Sequence, residues 1–149
     1  IKTSKEIISN MDELARELPE YEEISNISGC GIKLTSRIIA EIGDVRRFKN
    51  AGSLIAYAGL DAPPYQSGKF EATNRHISKR GNRYLRKTGY EIMKSIKSSC
   101  SDDNELKMYM IQKENEGKAK KVAKIATLNK FLRQYYGKVK RKYKELEIW

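Results

Sequence analysis

Residues 21–44, YEEISNISGCGIKLTSRIIAEIGD, read as helix, tight turn, helix. Gly29 and Gly31 bracket Cys30 and admit backbone conformations that other residues resist. Ile24 and Ile27 precede the turn, and Leu34, Ile38 and Ile42 follow it at four-residue spacing, the mark of one buried helix face. Gly43 is a helix stop. This periodicity, repeated further along the chain, predicts a mainly α fold.

Downstream, residues 48–60, FKNAGSLIAYAGL, predict a short helix capped by Asn50 or Ser53 and ended by Gly59. Residues 62–78 carry Pro63, Pro64 and Gly68, and are the least helical part of the chain. They predict a short irregular or β-hairpin excursion, with Tyr65 and Gln66 before a Ser67-Gly68 turn and Phe70 to Thr73 after it. Residues 79–99 predict a helix with the apolar stripe Leu85, Ile92, Met93 and Ile96. One of Ser101, Asp102 and Asp103 is expected to cap the next helix, 104–116, which Gly117 ends. A last long helix is expected to turn Val122, Ile125, Leu128, Leu132, Tyr135 and Val139 inward and to fray beyond Lys140. Tyr135, Tyr136 and Tyr143 stand among its lysines, where they can stack on bases or pack in the core.

Upstream, Ile7, Met11, Leu14 and Leu18 alternate at four- and three-residue steps until Pro19. That is an amphipathic helix with a narrow seam, packed on its own domain or ending a coiled coil. The expected organisation is a helical linker over 1–20, a core over 21–100, and basic C-terminal helices of the same domain over 101–149. The chain opens on Ile1 rather than Met, and reads as part of a longer protein. A chain of 149 residues holds one domain with a real core. No signal peptide or membrane-spanning run is visible, so no membrane partner is expected. Cys30 and Cys100 lack the close-spaced partners of a zinc site and fit a reducing compartment. His76 is the single histidine, which excludes a histidine metal cage.

The net charge of +11 is unevenly spread. Residues 1–29 balance to −4, residues 61–100 to +6, and residues 118–144 carry eleven cations and no carboxylate. Such asymmetry points to a polyanion partner. Arg75, Lys79, Arg80, Asn82, Arg83 and Arg86 crowd the stretch after Ser67, and guanidinium forks suit phosphate. Taken alone, these residues favour a plainer reading, in which QSG is a polar turn and the cations a solvated helix face.

The pattern hydrophobe-x-Gly-x-Gly-hydrophobe before an apolar-periodic helix resembles the helix-hairpin-helix motif of DNA-binding and repair proteins. That likeness implies a DNA phosphate held by the amides around Gly29 and Gly31, with side-chain contacts from Lys33, Thr35 and Ser36. The alternative is a hairpin used only for packing.

A longer resemblance follows. NISGCGIKLTSRIIAEIGDVRRFKNAGSLIAYAGLDAPPYQSG, with ISKRGNRYLRK after it, is similar to the C-terminal transposase domain of the insertion-sequence 110/116/902 family, over about residues 24–90. Family members carry an N-terminal RuvC-like nuclease domain, a coiled coil and then this domain, whose serine is the nucleophile. The resemblance places that role on Ser67. It implies DNA recombination in a bacterial or archaeal cytoplasm, a homo-oligomeric full-length protein and, in some members, a structured guide RNA. Magnesium is expected in the RuvC-like domain, which this sequence lacks, and no cofactor in this segment; on its own the segment is expected to bind DNA without completing transposition. Two other readings remain: a non-catalytic helix-hairpin-helix module for DNA or RNA, and a protein-interaction domain using the acidic helix over 1–18.

Overall fold

The computed structural model describes residues 3–27, 29–62, 66–67, 70–71 and 76–149. Seven α-helices stand among them: α1 (Ser4–Arg16), α2 (Tyr21–Ser25), α3 (Gly31–Ile42), α4 (Ala51–Tyr57), α5 (Arg83–Ser99), α6 (Glu105–Asn115) and α7 (Lys120–Glu145). A 3-10 turn, Val45–Arg47, links α3 to α4. Between α4 and α5 two short strands, β1 (Gln66–Ser67) and β2 (Phe70–Glu71), pair antiparallel with Gln66 opposite Glu71 and Ser67 opposite Phe70. The mainly helical fold with a small hairpin excursion is therefore as expected. Ser67 falls in β1 itself rather than in the turn. Pro63, Pro64, Gly68, Arg75 and the Ser67 side chain lie outside the described residues.

α7 is the spine. It packs against α2, α4, α5, α6 and the 3-10 turn, while α3 packs against α1, α2 and α5. One apolar core runs from Ile24 in α2 to Tyr143 in α7. Ile38 and Ile42 of α3, the whole predicted stripe of α5, and Leu128, Leu132, Tyr135 and Val139 of α7 are buried in it. Fully burying such a side chain contributes about 1.5–3 kcal/mol, so these helices are held by packing rather than by propensity. α5 and α7 come so close that a Cβ on Gly89 would stand 2.5 Å from Leu128 Cδ1. A side chain there would force the two helices apart.

Asparagines start three of the helices. Asn50 caps α4, Asn82 caps α5 and Asn104 caps α6, each side-chain oxygen accepting from first-turn amides. Two expectations are corrected here. The cap of α6 is Asn104 rather than one of residues 101–103, and α5 begins at Arg83, four residues after Lys79. Lys79 has a left-handed backbone (φ 54°) that no helix continues through.

α7 departs from expectation at both ends. Val122 is 52% exposed, because Ala123 takes the inward position on that turn. The far end does not fray at Lys140: helix continues to Glu145, and the buried Tyr143 hydroxyl donates to Glu20 Oε2 at 2.6 Å. Tyr135, Tyr136 and Tyr143 are all buried, so none is free to stack on a base. On α1, Ala15 is buried, while the seam residues Ile7 and Leu14, and Leu18 just past the helix, stay exposed.

Candidate functional site

The ribbon that carries Ser67 is rooted in a tight junction between the end of α4 and the start of α5. Gly59 and Gly81 meet there. A Cβ on Gly81 would lie 2.1 Å from the Tyr57 carbonyl oxygen, and one on Gly59 would lie 2.8 Å from the Gly81 nitrogen. Gly59 also needs its positive φ of 70°. With both side chains absent, the two backbones hydrogen-bond directly. The Asn82 amide donates to Tyr57 O at 2.6 Å, the Lys79 amide to Gly59 O at 3.0 Å and the Ser78 amide to Asp61 O at 2.7 Å. The Ser78 hydroxyl donates to Asp61 Oδ1 at 2.5 Å. The Lys79–Gly59 bond also holds Lys79 in its strained conformation, which costs about 1–2 kcal/mol. Asp61 and Ser78 are thus clamped side by side where the excursion leaves the body.

Two residues that the sequence offers to phosphate also make bonds in this junction. Asn82 Oδ1 accepts from the Tyr84 and Leu85 amides, and Asn82 Nδ2 donates to Glu41 Oε2 and to the Tyr57 hydroxyl, each at 3.2 Å. Its polar atoms are occupied by the fold. Arg86 is half-buried and donates from Nη1 to Ala58 O at 2.9 Å. Its first role is to close the helix end of α4, whose last carbonyls lack intrahelical partners. Arg47 supports the same corner: it lies 4.5 Å from the Tyr57 ring centroid and donates to Ile42 O. Hydrogen bonds from Arg47 and then Asn82 pull the Tyr57 phenol below its usual pKa.

Arg86 also lines, with five other cations, an open groove of about 790 Å³ between α5 and the first turns of α7. Lys79, Arg83, Lys87 and Lys94 come from the junction and α5, Lys121 comes from α7, and His76 stands at the ribbon end. The floor is apolar, with Ile77, Tyr90, Val122 and Ile125. Among the described residues the lining holds one carboxylate, Glu91, which is paired with Arg37 at 2.8 Å and so does not neutralise the lysines. Arg83 is exposed and braced on its neighbour, donating to the Tyr84 hydroxyl at 2.9 Å. Arg80 is exposed beside the groove rather than in its lining. The sequence did not point to Lys87, Lys94, Lys121, Val122 or Ile125 as groove residues. A valine inside the run KAKKVAK was the available signal, and periodicity assigned it to the core.

The α2–α3 turn divides in the same way. Gly29 (φ 88°) and Gly31 (φ 54°) form it, and Lys33 is exposed on the first turn of α3. α3 has no side-chain cap, which leaves its first amides to other partners. Thr35 is a correction: it is fully buried, and its hydroxyl donates to Gly31 O at 2.7 Å, as Ser36 does to Ile32 O. Neither hydroxyl reaches outward. The thiol of Cys30 behind the turn is pushed up to about 12 by burial and by Cys100, and is an inert core group.

The family model for the IS116/IS110/IS902 transposases matches residues 21–110, from the start of α2 into α6. The chain belongs to that transposase family. A curated relative, the insertion element IS116 uncharacterized 44.8 kDa protein of Streptomyces clavuligerus, is 32% identical over 96 residues. That match covers 64% of this chain and 23% of the relative, so the chain spans under a quarter of that protein's length. The family match holds the α2–α3 turn, the glycine junction, Ser67 and the α5 side of the groove. The α7 side of this transposase segment lies beyond the match, although α7 packs in the same core. No helix among the described residues is long and apolar enough to cross a membrane. No three His, Cys, Asp or Glu side chains among them come together as a cation site, so the described residues do not fit a magnesium ion.

Proposed function

We propose that this segment is the DNA-binding, serine-nucleophile part of an insertion-sequence transposase. The observation that carries the reading is the rooting of the Ser67 ribbon: its stem is clamped at Asp61 and Ser78, beside a groove that presents Lys79, Arg83, Lys87 and Lys121. In the reaction, Ser67 Oγ bonds to a DNA phosphorus while the P–O3′ bond breaks. The serine proton leaves, a 3′-hydroxyl is released, and the strand is held as a 5′-phosphoserine ester. A 3′-hydroxyl of the partner strand then attacks that ester, reforms the phosphodiester and returns the serine. A serine hydroxyl is a weak nucleophile, and preorganised cations favour the transition state by stabilising charge on the non-bridging oxygens. Lys79 and Arg83 are the described groups that flank the stem and line the groove. Arg86 and Asn82 serve as positioning residues. The uncapped start of α3, with Gly31 and Lys33, holds a second backbone phosphate. A structured guide RNA and assembly of several protomers complete the working complex.

Binding and chemistry separate in the test. The segment should bind DNA with little sequence preference, and log Kd should rise with log salt at a slope of about 3–5. In the complete transposase, Ser67→Ala should abolish strand exchange and leave DNA binding within about twofold, because one oxygen is lost and the cations remain. Normal exchange by Ser67→Ala assigns the segment to binding alone, and salt-independent binding removes the electrostatic basis of the reading.

A further inference from the structure

The groove between α5 and α7 combines two features that double-stranded DNA does not use together. Its rim is cationic, with Lys87 and Lys94 on one side of it and Lys121 on the other, and the one carboxylate among its described residues, Glu91, is tied to Arg37. Its floor is apolar, and Val122 leaves half of its surface open to solvent in a helix that buries its neighbour Ala123 completely. A duplex presents phosphates and sugars to such a surface and keeps its base faces stacked inside, so the floor would gain nothing. An unpaired strand presents both its phosphates and its base faces. A groove of about 790 Å³ is the size of a small-ligand pocket, which suits one or two nucleotides and not the width of a duplex.

We infer that this groove takes an unpaired DNA strand, its phosphates along Lys87, Lys94 and Lys121 and a base against Val122 and Ile125. The inference rests on the reading of the segment as DNA-binding and names the form of DNA that this surface holds. Strand exchange needs ends freed from their duplex, and the groove offers them a place at the stem residues His76 and Ile77.

The test is fluorescence anisotropy on the whole chain, with a labelled oligothymidylate, a duplex of the same length and an oligouridylate. The single DNA strand should bind at least about fivefold more tightly than the duplex. Val122 is exposed, so Val122→Ser and Val122→Tyr leave the core untouched. Val122→Ser should weaken single-strand binding about fivefold and Val122→Tyr should tighten it by a similar factor, with duplex binding unchanged in both. Lys121→Gln should weaken all three ligands. Preference for the duplex, or Val122 variants that move single strand and duplex alike, overturns the inference while the DNA-binding reading stands. Tighter binding of the oligouridylate overturns the assignment to DNA. Absence of binding to any of the three overturns both.

Discussion

The turn at Gly29–Gly31 and the junction at Gly59–Gly81 both depend on glycine, but for different reasons. At the first, Gly29 is pressed against α5, where a Cβ would stand 2.3 Å from Ile96 Cγ1, whereas Gly31 faces open space. At the second, both glycines are blocked, and what blocks them is mostly backbone: the Tyr57 carbonyl, the Gly59 and Gly81 nitrogens and the carbonyl carbon of Lys79. The first turn leaves one glycine free beside an uncapped helix start, as a surface that approaches a phosphate must. The second leaves nothing free, as a hinge post must. Spacing alone makes the two look alike; what separates them is what comes back through space to touch them.

The largest effect that breaks this comparison is expected at the junction. Gly81→Ala sets a methyl against the Tyr57 carbonyl and parts the Asn82–Tyr57 hydrogen bond, since backbone cannot swing aside as a side chain does. Urea unfolding should show a loss of about 3 kcal/mol or more. A loss under about 1 kcal/mol would mean the junction opens without cost and does not position the ribbon. Gly29→Ala comes next, at about 2–3 kcal/mol, from a left-handed residue driven into Ile96. Gly31→Ala is the smallest, at about 1 kcal/mol, because only its φ of 54° is strained and no atom lies within 4 Å. The contrast is sharpened by DNA binding measured on the same proteins. Folded Gly31→Val should bind DNA several-fold more weakly. Normal binding by that variant would make the α2–α3 turn a packing element only.

Repetitive features were legible in the sequence. The stripe Leu85, Ile92, Met93 and Ile96 announced α5, Ile38 and Ile42 announced α3, and Asn50, one of two expected caps, starts α4, since each is a local pattern within one element. What stayed hidden depended on partners far along the chain. Asn82 reads as a polar residue among arginines, but its side chain is spent on Tyr57 and Glu41, 25 and 41 positions away. Arg86 reads as a phosphate contact, but it closes α4 through Ala58, 28 positions away. The end of α7 reads as a frayed basic tail until Tyr143 finds Glu20, 123 positions back. The groove was hidden for the converse reason: Val122 fits the apolar period of α7 and stays at the surface because none of the described elements covers that turn.

The proposed function turns on attack of Ser67 on DNA. The most direct test uses the complete transposase and a suicide DNA substrate whose released 3′-hydroxyl end cannot rejoin. After digestion, mass spectrometry of the peptides locates the covalent linkage. The account predicts a phosphonucleotide on Ser67, absent from Ser67→Ala. An adduct on a tyrosine such as Tyr65, or a full yield of exchanged strands from Ser67→Ala, would contradict it.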